Sequence, residues 1–145
     1  MKIIKKITIL LFISYLLLSC SGKIKLDKNV ILKKANHCYQ IDDYKGALVL
    51  YNAYVKLDST SGIAYFNKGY CEGRLSKYDA SNESFDKAIE LNYRIKDSYY
   101  NIAFNYVDEY NDSTALFYFK KAYSLDTTDM DIKEQIEIFT HRMNR

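Results

Sequence analysis

A 34-residue period runs through most of this chain. Residues 28–61, 62–95 and 96–129 lie over one another without a gap. Small residues meet small ones in this register: Ala35, Gly69 and Ala103 in one column, Ala47, Ser81 and Ala115 in another. Large apolar residues do the same with Tyr51, Phe85 and Phe119, and again with Leu57, Leu91 and Leu125. A unit this short cannot bury its own apolar face, but stacked copies can. The period therefore predicts a modular array, an architecture of binding scaffolds rather than of catalytic folds.

Each block reads as two helices. In the middle block the spacing predicts helices over 63–75 and 78–91, separated by a polar turn at Ser76-Lys77. Tyr78, Ser81, Phe85, Ala88 and Leu91 recur every three or four residues, as one helical face requires. The polar breaks after the second helices, 58–61, 92–93 and 126–129, contain Asp, Ser, Thr and Asn able to cap the next helix. Helices of about 13 residues are marginal alone, so stacking must supply their stability. A last amphipathic helix is expected over 130–143, with Ile132, Ile136, Phe139 and Met143 as its apolar stripe. It would close the exposed end of the array.

The spacing resembles the tetratricopeptide repeat, a helix–turn–helix unit of the same length. In the third block Tyr99, Ile102-Ala103, Tyr106, Ala115, Phe119 and Ala122 fall on its motif. In the second, Tyr65, Gly69, Phe85 and Ala88 match, while Glu72 replaces the usual Tyr and Ser81 the usual Ala. The first keeps Ile31, Ala35, Ala47 and Tyr51 but has bulky Tyr54 where Ala is normal. The family's proline is missing, its place taken by Ser59, Tyr93 and Thr127. The resemblance implies an all-α solenoid of three repeats, 28–61, 62–95 and 96–129, followed by a capping helix over 130–145.

The first nineteen residues stand outside the array. Lys2, Lys5 and Lys6 precede an almost wholly apolar stretch, Ile7 to Leu18, as in a secretory signal. Leu17-Leu18-Ser19-Cys20 resembles the lipobox of bacterial lipoproteins, in which the peptide is cut before the cysteine and the thiol is acylated. The expectation is a signal peptide over 1–19, a lipidated Cys20 and a short tether over 20–27. By the same resemblance, Ser21 in place of Asp leans towards export to the outer membrane, facing the periplasm, in a bacterial cell envelope. The signal holds three of the 21 Lys and Arg residues and none of the 18 Asp and Glu, so 18 of each sign remain after it. A neutral remainder does not form the basic face a nucleic acid requires. Cys38 and Cys71 are 33 residues apart, at near-equivalent places on successive first helices. Such helices pack about 8–10 Å apart, beyond the roughly 7 Å that a disulfide spans. Two buried free thiols are expected.

No catalytic constellation is present in the sequence. His37 and His141 are its only histidines, and neither stands at nucleophile–base or metal-ligand spacing from other candidates. An enzyme, a cofactor and a metal are accordingly not expected. In the resembling family the first helices line a concave groove. Here that groove would be lined by Leu32 and Asn36, then Ile63, Phe66, Asn67 and Tyr70, then Tyr100, Asn101 and Phe104, with Asn29, Tyr39, Arg74 and Asp108 beside them. Some members grip a C-terminal carboxylate with Lys, Asn and Arg. Only Asn36 and Asn67 match that set, while Leu32, Asp97 and Asn101 stand where basic residues are needed. The expected partner is another protein or peptide, met by an aromatic strip edged with amides, with the lipid anchor holding the array at a membrane. A self-associating homo-oligomer is the rival reading.

Overall fold

The turn inside each block is one backbone geometry used three times. A computed structural model describes residues 27–145; the signal, Cys20 and the tether up to residue 26 lie outside the described residues. The helices are α1 (Lys28–Gln40), α2 (Tyr44–Leu57), α3 (Gly62–Arg74), α4 (Tyr78–Glu90), α5 (Ile95–Asp108), α6 (Asp112–Leu125) and α7 (Met130–Met143). Asp42, Ser76 and Tyr110, spaced by 34 residues, all take left-handed φ of 59°, 56° and 58°. The amide after each reaches back five residues: Asp43 to Cys38, Lys77 to Glu72 and Asn111 to Tyr106, at 2.9, 2.9 and 2.8 Å. This is the Schellman closure of a helix, here made without glycine. Asp43 and Asn111 then cap α2 and α6, while Asp27 and Asp129 cap α1 and α7. Ser61 and Arg94 precede α3 and α5 without a side-chain cap bond, so the expected capping by 58–61 and 92–93 does not occur.

Consecutive helices pack in order, α1 on α2 through α6 on α7, and the described residues contain no strand. No described helix is long and apolar enough to cross a membrane. The first helices α1, α3 and α5 also adjoin one another, whereas the second helices do not to the same extent. The stack therefore curves with its first helices inside. This is an all-α solenoid, as the period predicts.

The core follows the columns. Ala35, Ala47, Ala103 and Ala115 are sealed from solvent, and so are Tyr51, Phe85 and Phe119 at 0%, 1% and 0% exposure. A Cβ on Gly69 would lie 3.1 Å from the Ser81 carbonyl and 3.2 Å from the Phe85 ring, which shows how closely α3 and α4 approach. Ile132 and Phe139 of α7 close the array, Phe139 stacking on Phe119 at 5.5 Å. Two expectations fail. Leu57 and Leu125 end their helices beside polar turns and are about half exposed, and Met143 at the last turn of α7 is also exposed. Cys71 is buried, its thiol pushed up to about 12 by burial, but Cys38 is only half-buried; both are free.

Polar residues in apolar columns come with partners. Glu72 is 4% exposed and accepts from Lys68 Nζ at 2.8 Å and Ser84 Oγ at 2.6 Å. Ser81 donates to the Gly69 carbonyl at 2.8 Å and accepts from Asn105 Nδ2 at 2.8 Å, a bond from the second block to the third. Tyr54, in place of the usual Ala, packs in the first-block core with Ala64 and points its hydroxyl at Asp58, 3.5 Å away.

The missing proline is replaced in two ways. In the first and third blocks an Asp-x-Thr turn holds the chain: Asp58 Oδ1 accepts from the Thr60 amide and hydroxyl, and Asp126 Oδ1 from those of Thr128. The other carboxylate oxygen pairs with the lysine opening the same block, Lys28 or Lys96, at 2.8 Å. In the middle block Gly62 stands where those lysines are. A Cβ there would collide with Cβ of Tyr93, whose ring packs on Phe66 at 6.0 Å. An ion-pair closure has become an aromatic one.

Two outcomes follow from this packing. Phe85→Ala should cost about 3–5 kcal/mol in urea unfolding through the cavity it leaves, whereas Phe117→Ala, 54% exposed, should stay within about 0.5 kcal/mol. The carboxyls of Asp58 and Asp126 are held down to about 2, first by the lysine hydrogen bonds and then by the threonines. Both are depressed in the folded state, so their stabilisation is complete above the ordinary value of about 4 and is lost as pH falls towards about 2. The thermal midpoint of the wild type should drop further across that window than the midpoint of a D58N/D126N double variant.

Candidate functional site

On the inner side the helical period places one set of residues on each first helix. Leu32 and Asn36 of α1 are half-buried and line a cavity of about 450 Å³ with Asn29, Lys33, His37 and Gln40. Tyr70 of α3 and Asn101 and Phe104 of α5 line a second, of about 460 Å³, between the middle and third blocks. Tyr100 lines a third, of about 160 Å³, between α5 and the start of α7. Ile63, at the start of α3, is 38% exposed.

Phe66 behaves differently. It is 3% exposed, edge-on to Phe85 at 5.4 Å, with the Arg94 guanidinium 4.4 Å over its ring. The cause is Tyr93 in the proline position, which covers it from the turn. Phe66 is core and is not available to a ligand. Tyr100 and Phe104 are half-buried, 4.9 Å apart and seated on Phe119 at 5.7 and 5.3 Å. Their rings are fixed from below and open above. Burial, then Asp131 and Asp129, raises the Tyr100 phenol, so it enters any contact as a neutral hydroxyl. Tyr70 belongs to a cluster with Tyr39 and Tyr44 at 5.5 and 6.1 Å, and Arg74 lies 5.5 Å over the Tyr44 ring.

The two asparagines are joined by a group that the groove positions do not include. Tyr51 is fully buried, yet its hydroxyl donates to Asn36 Oδ1 at 2.7 Å and accepts from Asn67 Nδ2 at 3.0 Å. The Tyr51 phenol is pushed up strongly by burial, so it stays neutral in this bridge. The equivalent residues Phe85 and Phe119 carry no such group, and the Tyr for Phe difference within an aligned column was the available signal. Gly73, Asn105 and Tyr78 also line the larger cavity. Gly73 leaves open the space that a side chain would fill, since its Cβ would come 3.0 Å from Asn105 Oδ1.

No protein-family model matches this sequence, and no curated protein matches it. Solved structures do. A TPR repeats protein from Bacteroides fragilis is 23% identical with a TM-score of 0.70 over 78% of this chain, which spans about half (51%) of that protein. MamA is 21% identical with a TM-score of 0.76, covering 81% of this chain and 69% of its own. The first TPR of Spaghetti, bound to the Hsp90 peptide SRMEEVD, is 15% identical with a TM-score of 0.73, covering 84% of this chain and 99% of its own. With seven helices stacked in sequence among the described residues and these likenesses, the chain has the tetratricopeptide-repeat fold.

Proposed function

We propose that this chain is a membrane-anchored interaction scaffold that holds a peptide segment of a partner protein in its first-helix groove. The observation that carries this reading is the set of half-buried rings Tyr70, Tyr100 and Phe104, rigidly backed yet open to cavities of about 460 and 160 Å³. Preorganised aromatics lose little entropy on contact and are effective anchors. A domain of the same fold, the first TPR of Spaghetti, is bound to an Hsp90 peptide, and that likeness supports a peptide as occupant here. It does not extend to the mode of binding, because this chain lacks the basic residues of a carboxylate clamp.

The anchor belongs to the proposal on sequence grounds. Three lysines, an apolar stretch and Leu17-Leu18-Ser19-Cys20 support export and acylation at Cys20 in a bacterial envelope. Several acyl chains would hold the protein stably at a bilayer, since stable anchoring takes two lipid signals. The chain is then an assembly subunit rather than an enzyme.

The groove is tested by a photocrosslinking residue placed at Tyr100 or Phe104, with exposed Phe117 on α6 as control, in the native cell. Adducts to another protein from the first two positions only are expected. Equal labelling from Phe117 would remove the groove reading, and adducts solely to a second copy of this chain would replace it with self-association. The anchor is tested by labelled palmitate, which should enter the wild type and be lost in Cys20→Ser; unlabelled wild type would rule the anchor out.

A further inference from the structure

Whether the groove's polar atoms offer protons or accept them decides what segment suits it. Asn67 on α3 and Asn101 and Asn105 on α5 each engage the amide N–H internally. Asn67 Nδ2 donates to the Tyr51 hydroxyl at 3.0 Å and Asn101 Nδ2 to the Asp97 carbonyl at 2.7 Å. Asn105 Nδ2 donates to Ser81 Oγ at 2.8 Å and Asn82 Oδ1 at 2.7 Å. Their Oδ1 atoms receive no hydrogen bond among the described residues, so these side chains leave acceptors for a ligand.

Charge runs the same way, on separate residues. At the larger cavity Asp108, beside Asn101 and Phe104, is balanced by Arg74, so the excess lies at the smaller one. Asp97 and Asp131 line the smaller one beside Tyr100. The lysine at that smaller cavity, Lys96, already bridges Asp126 and Asp129 at 2.8 Å each, so its charge is neutralised locally. Asp97 meets only the exposed Arg94, at 2.7 Å, and Asp131 has no ion pair among the described residues. The groove beside its open aromatic rings is thus rich in acceptors, and around Tyr100 it is negative in charge.

The geometry points to a donor-rich occupant: an extended peptide that seats an aromatic or large aliphatic side chain on Tyr100 and Phe104 and a lysine or arginine beside Asp97 and Asp131. This rests on the groove reading above and fixes the chemistry of its partner. A C-terminal carboxylate or a glutamate-rich tail offers only acceptors and negative charge, and would meet like charge at Asp97 and Asp131 beside Tyr100. A cationic side chain supplies several N–H donors and the complementary charge together. After the signal 18 residues of each sign remain, so attraction of a cation here would report the local field and not the charge of the whole molecule.

The test uses the full chain in mild detergent and three capped, fluorescent peptides of ~12 residues. All share one Tyr/Leu pattern and differ only in carrying Lys, Gln or Glu between those residues. By anisotropy the Lys peptide should bind about tenfold tighter than the Gln peptide, with the Glu peptide weakest. A D97N/D131N variant should lose that advantage while still binding the Gln peptide and keeping its thermal midpoint, because an exposed ion pair contributes little. Tyr100→Ala should weaken all three. A Glu peptide binding as tightly as the Lys peptide, or a Lys advantage that survives D97N/D131N, overturns the inference and leaves the groove standing. No binding by any peptide, or binding indifferent to Tyr100→Ala, overturns the groove reading and this inference with it.

Discussion

A helix pair whose facing columns are Ala35, Gly69 and Ala103 on one side and Ala47, Ser81 and Ala115 on the other can approach closely enough to seal one large ring per block from water. The rest of the molecule depends on that approach. Tyr51, Phe85 and Phe119 fill the space it creates. Each buries about 150–250 Å² of aromatic surface, which short helices need to stay folded. One of them, Phe119, is also the floor on which Tyr100 and Phe104 rest. Stability and the stiffness of the inner face around Tyr100 have one source.

Much of this was legible in the sequence because repetition averages out local ambiguity. A single Ala or Phe says little, but three at the same offset identify a buried column. The periodic argument failed where position along a helix outweighed its face. Leu57 and Leu125 share a register yet sit in the last turn, beside a polar loop with nothing packed over them. Phe66 failed for a tertiary reason, since Tyr93 approaches from a turn where the family has proline and covers its ring. Glu72 and Ser81 stood out as departures from the motif; Lys68, four residues before Glu72, is a readable partner, but Ser84, Gly69 and Asn105 lie across helix boundaries and no spacing shows them. The Asp-x-Thr turns were in plain view at 58–60 and 126–128, and only their hydrogen bonds explain why proline is dispensable there.

The blocks are alike in backbone and unlike in chemistry. The left-handed residues Asp42, Ser76 and Tyr110 mark the same turn in each. The outer blocks close with a lysine–aspartate pair, and the middle one with Gly62 beneath Tyr93. Exposed ion pairs of this kind contribute little at neutral pH, so the aromatic closure of the middle block gives up little in exchange for its added packing. In the middle block Phe66, Phe85 and Ala88 form one cluster with Ile102 across the boundary with the third.

The bonds that cross between blocks are not interchangeable. Tyr51 of the first reaches Asn67 of the second, and Asn105 of the third reaches Ser81 and Asn82 of the second. Each needs its own counterpart: Ser81 has no equivalent in the first block, where the column is Ala47, and Asn105 would face that methyl with its amide stranded out of water. Shuffling the units would therefore break the seams even though every unit kept its shape. The order of the modules is written into the molecule as firmly as their fold, so this array cannot lengthen by simple tandem copying unless the seam residues change with it.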